Sequence, residues 1–177
     1  MKLSIIIPCF NEQNTISLVI QKILSSYTGE KEIIVIDDCS NDKTSDILKT
    51  DLKNKIDKLI LNPRNYGKGY SIRKGINIAE GDIILIQDAD LEYDPSDYKK
   101  LLLPFFETDA DIVYGSRFLG GGKYVRIHFF WHYLANKILT FVCNLFTNLN
   151  LTDMETGYKV FKSSVIKSIK LEENSFS

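Results

Sequence analysis

Two aspartates spaced two apart, Asp88 and Asp90, follow the apolar run "DIILIQ" (Asp82–Gln87), and Glu92 comes two residues later. Carboxylates this close repel each other, which raises one pKa unless a cation lies between them. With no histidine or cysteine nearby in sequence, these hard oxygen ligands suit Mg2+ or Mn2+ rather than zinc. Mg2+ typically takes one or two protein carboxylates and fills its other positions with water and phosphate oxygens. Asp88, Asp90 and Glu92 are therefore candidate metal ligands, and a diphosphate is the natural partner of the metal. The plainer alternative is acidic residues that end a strand and cap a helix. It loses ground because other polar clusters fall on the same predicted edge.

Those clusters have chemistry of their own. "IIVIDDCSND" ends in Asp37 and Asp38, and a carboxylate there can accept hydrogen bonds from a nucleobase N–H or ribose hydroxyls. Asp42 reads as a helix cap. "RNYGKGYSIRKG" sets Gly67 and Gly69 around Lys68 at the opening of a helix, a place that favours an anion. The spacing is not that of a P-loop, and a tight turn with a solvent-facing lysine fits this motif as well. "YGSRFLGGGKYVR" carries Arg117 and Arg126 around three consecutive glycines. Arginine forks pair with phosphate oxygens, so these two form a candidate second anion site.

The elements that must position these residues are short apolar runs alternating with helical patterns. Leu3–Pro8, Glu32–Asp37, Lys58–Leu61, Asp82–Gln87 and Asp111–Ser116 are rich in β-branched residues, and their unbroken hydrophobicity predicts strands covered on both faces. Helices are predicted over Asn14–Ser26, Asp42–Lys53, Lys68–Ala79 and Pro95–Phe106, with Asp94 as a cap and Pro95 in the first turn. The result is an α/β fold, a Rossmann-like, mostly parallel sheet flanked by helices. Such sheets bind ligands beyond the carboxyl ends of their strands, where "PCFNE", "DDCSND", "NPRNYGKG" and "DADLE" follow the first four strands in turn. A further amphipathic helix lies downstream. His132, Asn136, Thr140, Asn144 and Asn148 trace a polar stripe opposite Phe130, Leu134, Ile138, Phe141, Val142, Leu145 and Leu149. The expected use of its apolar side is packing on the domain's own sheet; its aromatic content also suits a membrane surface. His128 and His132 read as incidental.

The 177 residues suffice for one domain, and a net charge of −1 gives no global attraction to nucleic acid. Three widely spaced cysteines, Cys9, Cys39 and Cys143, suggest neither a disulfide framework nor a zinc site. "MKLSIIIPCF" reads as a buried strand rather than a signal peptide, and no stretch reaches the ~20 apolar residues of a membrane span.

Taken in order, "IIIPCFNE", "IIVIDDCSND", "RNYGKGYSIRKG", "GDIILIQDADLEYDP", "DIVYGSRFLGGG" and "LTDMETGYKVFK" resemble the family-2 glycosyltransferases, which have the GT-A fold. The likeness is greatest to the branch of dolichol-phosphate mannose synthase and the polyprenyl-phosphate glycosyltransferases. It implies an inverting, metal-dependent transfer of a sugar from a nucleoside diphosphate sugar to a polyprenyl phosphate, at the cytoplasmic face of a membrane. Pro8, Phe10 and Glu12 match the loop that flanks the nucleotide. Asp38, with Asp37 beside it, matches the base-binding acid, and Lys68 lies beside the nucleotide. Asp88, Ala89 and Asp90 match the motif that holds Mg2+ or Mn2+ and the diphosphate. Glu92 stands where the branch often has glutamine as a further metal ligand. Arg117 and Arg126 resemble the arginines that receive the lipid phosphate. Tyr70 and Ser71 depart from the small residues usual after "GKG". Residues 1–177 are expected to be a single catalytic domain shortened at its C-terminal end.

A polyprenyl phosphate needs no strong base, because its second pKa is about 6 and it is already an anion. A sugar hydroxyl acceptor needs a carboxylate base, for which Asp153 is the candidate. Two other readings stay open at this stage: extension of a polysaccharide or glycolipid, and a non-catalytic nucleotide-binding module.

Overall fold

Unbroken apolar strands require cover on both faces, and the computed structural model, which describes residues 1–116 and 130–173, provides it. Strands β1 (Leu3–Cys9), β2 (Lys31–Asp37), β3 (Lys58–Leu61) and β4 (Ile83–Ile86) pair in parallel in the order β3-β2-β1-β4. Parallel neighbours need crossovers, made here by α1 (Ile16–Ser26), α2 (Thr44–Lys49) and α3 (Lys68–Ile78). Alternate side chains of a strand point to opposite faces, so β1 sends Ile5 and Ile7 into one core and Ile6 into the other. The first core takes Ile16, Val19, Ile20 and Ile23 from one face of α1, with Tyr98, Leu101, Leu102 and Phe105 of α4 (Tyr98–Glu107). The second takes Ile76 of α3 and Ile166 of α6 (Ser163–Ser168).

The sheet is mostly parallel, as expected, but it has a sixth strand. β6 (Lys159–Lys162) lies antiparallel between β4 and β5 (Ile112–Tyr114), giving the order β3-β2-β1-β4-β6-β5. Its "KVFK" buries only Val160 and Phe161, too short an apolar run to announce a strand. The helix expected over Asp42–Lys53 is also shorter. The Thr50 hydroxyl bonds the Asp46 carbonyl (2.8 Å) and the Asp51 carboxylate (3.0 Å), local bonding that competes with helix continuation. Asp42 lies one residue before the cap position, its carboxylate accepting from the Thr44 N–H at 2.9 Å. Asp94 likewise accepts from the Ser96 N–H at 2.9 Å, in front of a short turn that leads into α4.

Helix α5 (Phe130–Thr147) reverses the expected orientation. Its polar stripe turns inward: Asn136 is 2% exposed and Thr140 3%, whereas Trp131 is 74%, Leu145 70% and Phe146 82% exposed. The Asn136 amide donates to Asp153 (3.1 Å) and Glu155 (3.0 Å), and Asn144 exchanges two 2.8 Å bonds with the backbone of Leu151. The helical period identifies two faces but not which one turns inward. Here the polar face is taken by the neighbouring 151–155 loop, and among the described residues the expected packing of the apolar side on the sheet is not found. Among the described residues, no helix is long and apolar enough to cross a membrane.

Candidate active site

The strand order turns around between β1 and β4, and the connections from β1 and β4 leave the sheet there in opposite directions. That point in a doubly wound sheet leaves a crevice beyond the carboxyl ends. A cleft of about 320 Å³ occupies it, lined by Pro8, Cys9, Phe10, Glu12, Asp38, Asn65, Gly67, Lys68, Ser71, Asp88, Ala89 and Asp90.

Each wall is fixed locally. The loop after β1 is stitched to the loop after β2. The Asn11 and Glu12 N–H groups donate to the Ser40 (2.9 Å) and Thr44 (2.8 Å) hydroxyls, and the Asn11 side chain accepts from the Asn41 N–H at 2.8 Å. Asp38 is buried, and its oxygens accept from the Asn62 amide (2.7 Å) and the N–H groups of Tyr66 (3.0 Å) and Gly67 (2.7 Å). This clamp holds Gly67 at a φ of 94°, a conformation that favours glycine, and aims the first turn of α3 at the cleft. Behind Asp88, the buried Gln87 accepts from the Tyr98 (2.8 Å) and Tyr158 (3.0 Å) hydroxyls and donates to the Asp88 carbonyl (2.9 Å). The Tyr93 hydroxyl accepts the Gly157 N–H at 2.6 Å. The acidic loop thus rests on an aromatic base.

The charges of the cleft do not balance. Four lining carboxylates, Glu12, Asp38, Asp88 and Asp90, face one lining ammonium, Lys68. Lys68 Nζ forms an ion pair with Asp88 Oδ1, yet that buried oxygen has no hydrogen-bond partner. Burial pushes the Asp90 carboxyl above its ordinary pKa, and the charges of Asp88 and Glu92 push the same way against the Glu92 N–H bond. Burial likewise raises the Cys9 thiol, which Asp37 and Glu12 reinforce, so Cys9 lines the cleft as an inert thiol. A buried carboxylate oxygen that accepts no hydrogen bond and meets only the Lys68 ammonium among the lining side chains, amid excess negative charge, fits a hard divalent cation.

Of the residues singled out from sequence, Pro8, Phe10, Glu12, Asp38, Lys68, Asp88, Ala89 and Asp90 converge on the cleft. Asp37 does not line it; its carboxylate accepts from the Ser40 hydroxyl at 2.5 Å. Glu92 is exposed outside the lining, and among the described residues no three His, Cys, Asp or Glu side chains converge as a metal cage. Asp153 is buried beneath α5 and does not line the cleft. Arg117 and Arg126 lie outside the described residues. Sequence reasoning did not single out Asn65 or Cys9 as lining residues, nor the Ser40, Asn41 and Thr44 clamp. Polar loop residues of this kind announce a turn, not their partner.

The glycosyl transferase family 2 model matches residues 4–170. At the sequence level the chain is 29% identical to dolichol-phosphate mannosyltransferase of Pyrococcus furiosus, over 99% of this chain and 50% of the relative. It is 28% identical to undecaprenyl-phosphate 4-deoxy-4-formamido-L-arabinose transferase of Photorhabdus laumondii, over 95% and 51%. The chain therefore spans about half the length of the curated relatives it matches. Among solved structures, glucosyl-3-phosphoglycerate synthase from Mycobacterium tuberculosis, in complex with Mn2+, UDP and glucosyl-3-phosphoglycerate, gives a TM-score of 0.72 at 19% identity, covering 95% of this chain and 59% of that one. S. aureus TarS 1–349 with UDP-GlcNAc gives 0.65 at 23%, covering 95% and 47%. These likenesses show the GT-A fold. With a family match over nearly its whole length, a crevice at the turning point of its sheet and the motifs that line it, the chain belongs to glycosyl transferase family 2.

Proposed function

We propose that the chain carries the donor-binding catalytic unit of an inverting glycosyltransferase that moves a sugar from a nucleoside diphosphate sugar to a polyprenyl phosphate. The observation that carries this reading is the cleft in which Asp88 and Asp90 meet Lys68 at the turning point of the sheet. Polyprenyl-phosphate transferases among the relatives support the acceptor class.

Asp88 and Asp90 would hold Mg2+ or Mn2+, which supplies Lewis-acid stabilisation of the charge that develops on the leaving diphosphate. The clamp through Asp38 fixes the first turn of α3, whose N–H groups and Lys68 favour the same anion. The loop carrying Pro8, Phe10 and Glu12 closes the other side of the donor. A phosphate acceptor attacks as an anion, so the chain need supply orientation rather than a base. Arg117 and Arg126 are assigned that orienting role. Asp153, buried beneath α5 against Asn136 and away from the cleft, is given no part in the transfer, and Glu92 is assigned to the metal as a further carboxylate.

The exposed apolar face of α5 is assigned to the bilayer surface, where a polyprenyl chain resides. Each large apolar side chain left in water forgoes about 1.5–3 kcal/mol of burial, and Trp131, Phe141, Leu145 and Phe146 all stand exposed on this helix. Its polar edge grips the 151–155 loop, so a helix lying on lipid stays anchored to the domain. The cytoplasmic leaflet is part of the same proposal.

The test is transfer of radiolabelled sugar from UDP- and GDP-linked donors, with Mn2+ or with chelator. Label is expected in undecaprenyl or dolichyl phosphate, and label only in a soluble oligosaccharide overturns the acceptor assignment. Co-sedimentation with phospholipid vesicles tests α5: Phe146→Asp with Leu145→Asp is expected to release the protein to the supernatant. Unchanged sedimentation, or protection of these side chains without lipid in a longer form of the chain, assigns the face to protein instead.

A further inference from the structure

Lys68 is the only basic side chain among the described residues that line the cleft, and its ammonium sits on Asp88 Oδ1, the oxygen that lacks a hydrogen bond. Among the described lining residues, this buried carboxylate oxygen has that one positive neighbour and accepts no hydrogen bond. From this arrangement we infer that Lys68 is a built-in counter-ion: it takes the position of a divalent cation on Asp88 and yields it only when a diphosphate arrives to accept the ammonium. This deepens the donor-site reading above and rests on its assignment of Asp88 to the metal.

The exchange is local. Lys68 opens α3, its side chain about one-third exposed, so the ammonium can swing while Gly67 stays clamped to Asp38. A cation arriving alone must displace the ammonium and leave it facing the new positive charge. A cation arriving with a diphosphate does not, because the phosphate oxygens give the ammonium another partner. Cation and nucleotide affinities are thereby coupled, each raising the other by the same factor. Free cation then binds poorly at Asp88, and the site is completed by the donor itself.

The experiment titrates Mn2+ by electron paramagnetic resonance into the chain without nucleotide, then with UDP or with GDP. Wild type is expected to bind Mn2+ weakly alone and much more tightly with one of the nucleotides. Lys68→Met is expected to tighten nucleotide-free Mn2+ binding by about tenfold or more, while weakening the gain from nucleotide. These opposite signs are not produced by general damage to the site. Lys68→Arg, which keeps the charge, is expected to behave as wild type, and Lys68→Gln replaces the methionine variant if circular dichroism shows the latter unfolded. Nucleotide-free affinity unchanged by removal of the charge overturns the inference and leaves the donor-site reading standing. No Mn2+ binding by any variant with either nucleotide overturns both.

Discussion

Glu32 and Asp88 are carboxylates at opposite ends of one sheet, and the chain completes the first and leaves the second incomplete. Glu32, the second residue of β2, pairs with Ser4 of β1. Its Oε1 accepts from the Ser4 hydroxyl (2.5 Å) and the N–H groups of Glu80 (2.6 Å) and Gly81 (3.1 Å). Its Oε2 faces Lys58 Nζ at 3.0 Å and Lys2 Nζ at 3.6 Å. Burial alone would raise its pKa, yet the bonds from Ser4, Glu80 and Lys58 outweigh burial and bring it from 4.5 to about 2. Asp88, beyond the carboxyl end of β4, has an ammonium on one oxygen and no hydrogen bond there. A buried charge fully partnered by protein is structure, and one left short of partners is reserved for something that comes and goes.

The sharpest way to break this contrast is to neutralise each end in turn. Asp88→Asn is expected to lower sugar transfer by roughly 10²–10³-fold or more, while denaturant unfolding shifts by less than about 1 kcal/mol because the pair with the one-third exposed Lys68 is screened by water. A variant that unfolds at low denaturant would place Asp88 with Glu32 as a structural group and end the distinction. Glu32→Gln is expected to do the reverse, costing roughly 3 kcal/mol of stability at pH 7 without touching the donor cleft. The same comparison has a pH window. A carboxyl whose folded pKa is depressed contributes stability above its unfolded pKa and loses it as pH falls through the folded value. The difference between wild type and Glu32→Gln should therefore be full above pH 4.5 and fade towards pH 2. A constant difference across that range would mean that the Glu32→Gln variant fails through packing rather than charge.

The two ends were not equally legible. Asp88 and Asp90 stand out because two carboxylates at i, i+2 directly after the apolar run "DIILIQ" repel each other. Glu32 reads as a polar residue opening a strand, since its partners Ser4 and Gly81 lie 28 and 49 residues away and meet only through sheet register. The strands covered on both faces were visible for the same reason that Asp88 was: each run is self-evident locally. β6 was not, because Val160 and Phe161 gain their cover from β4 and β5 rather than from their own neighbours in sequence. The two faces of α5 were readable from its period, but the direction they turn depends on Asp153, Glu155 and Leu151, which no helical pattern reports.

Two glycines sharpen the comparison with the smallest intrusion available, one methyl group. A Cβ on Gly81, at the Glu32 end, would come within 2.6 Å of Ser4 Oγ and 2.7 Å of the Lys2 carbonyl and the Ser4 N. Backbone cannot retreat there without disturbing the strand, so Gly81→Ala is expected to cost about 1–3 kcal/mol, read by thermal or denaturant unfolding. A Cβ on Gly157, at the Asp88 end, would meet the Tyr93 ring at 2.5 Å and Asp88 Oδ2 at 2.8 Å, both side chains. Gly157→Ala should therefore lose less stability than Gly81→Ala, roughly 1 kcal/mol, by tilting Tyr93 and pushing Asp88 aside. Its larger consequence should be in transfer, since a catalytic group displaced by about 1 Å can cost 10²-fold. If Gly157→Ala instead loses as much stability as Gly81→Ala and transfers sugar normally, the Asp88 loop is as firmly built as the Glu32 end, and Asp88 has no freedom to exchange partners.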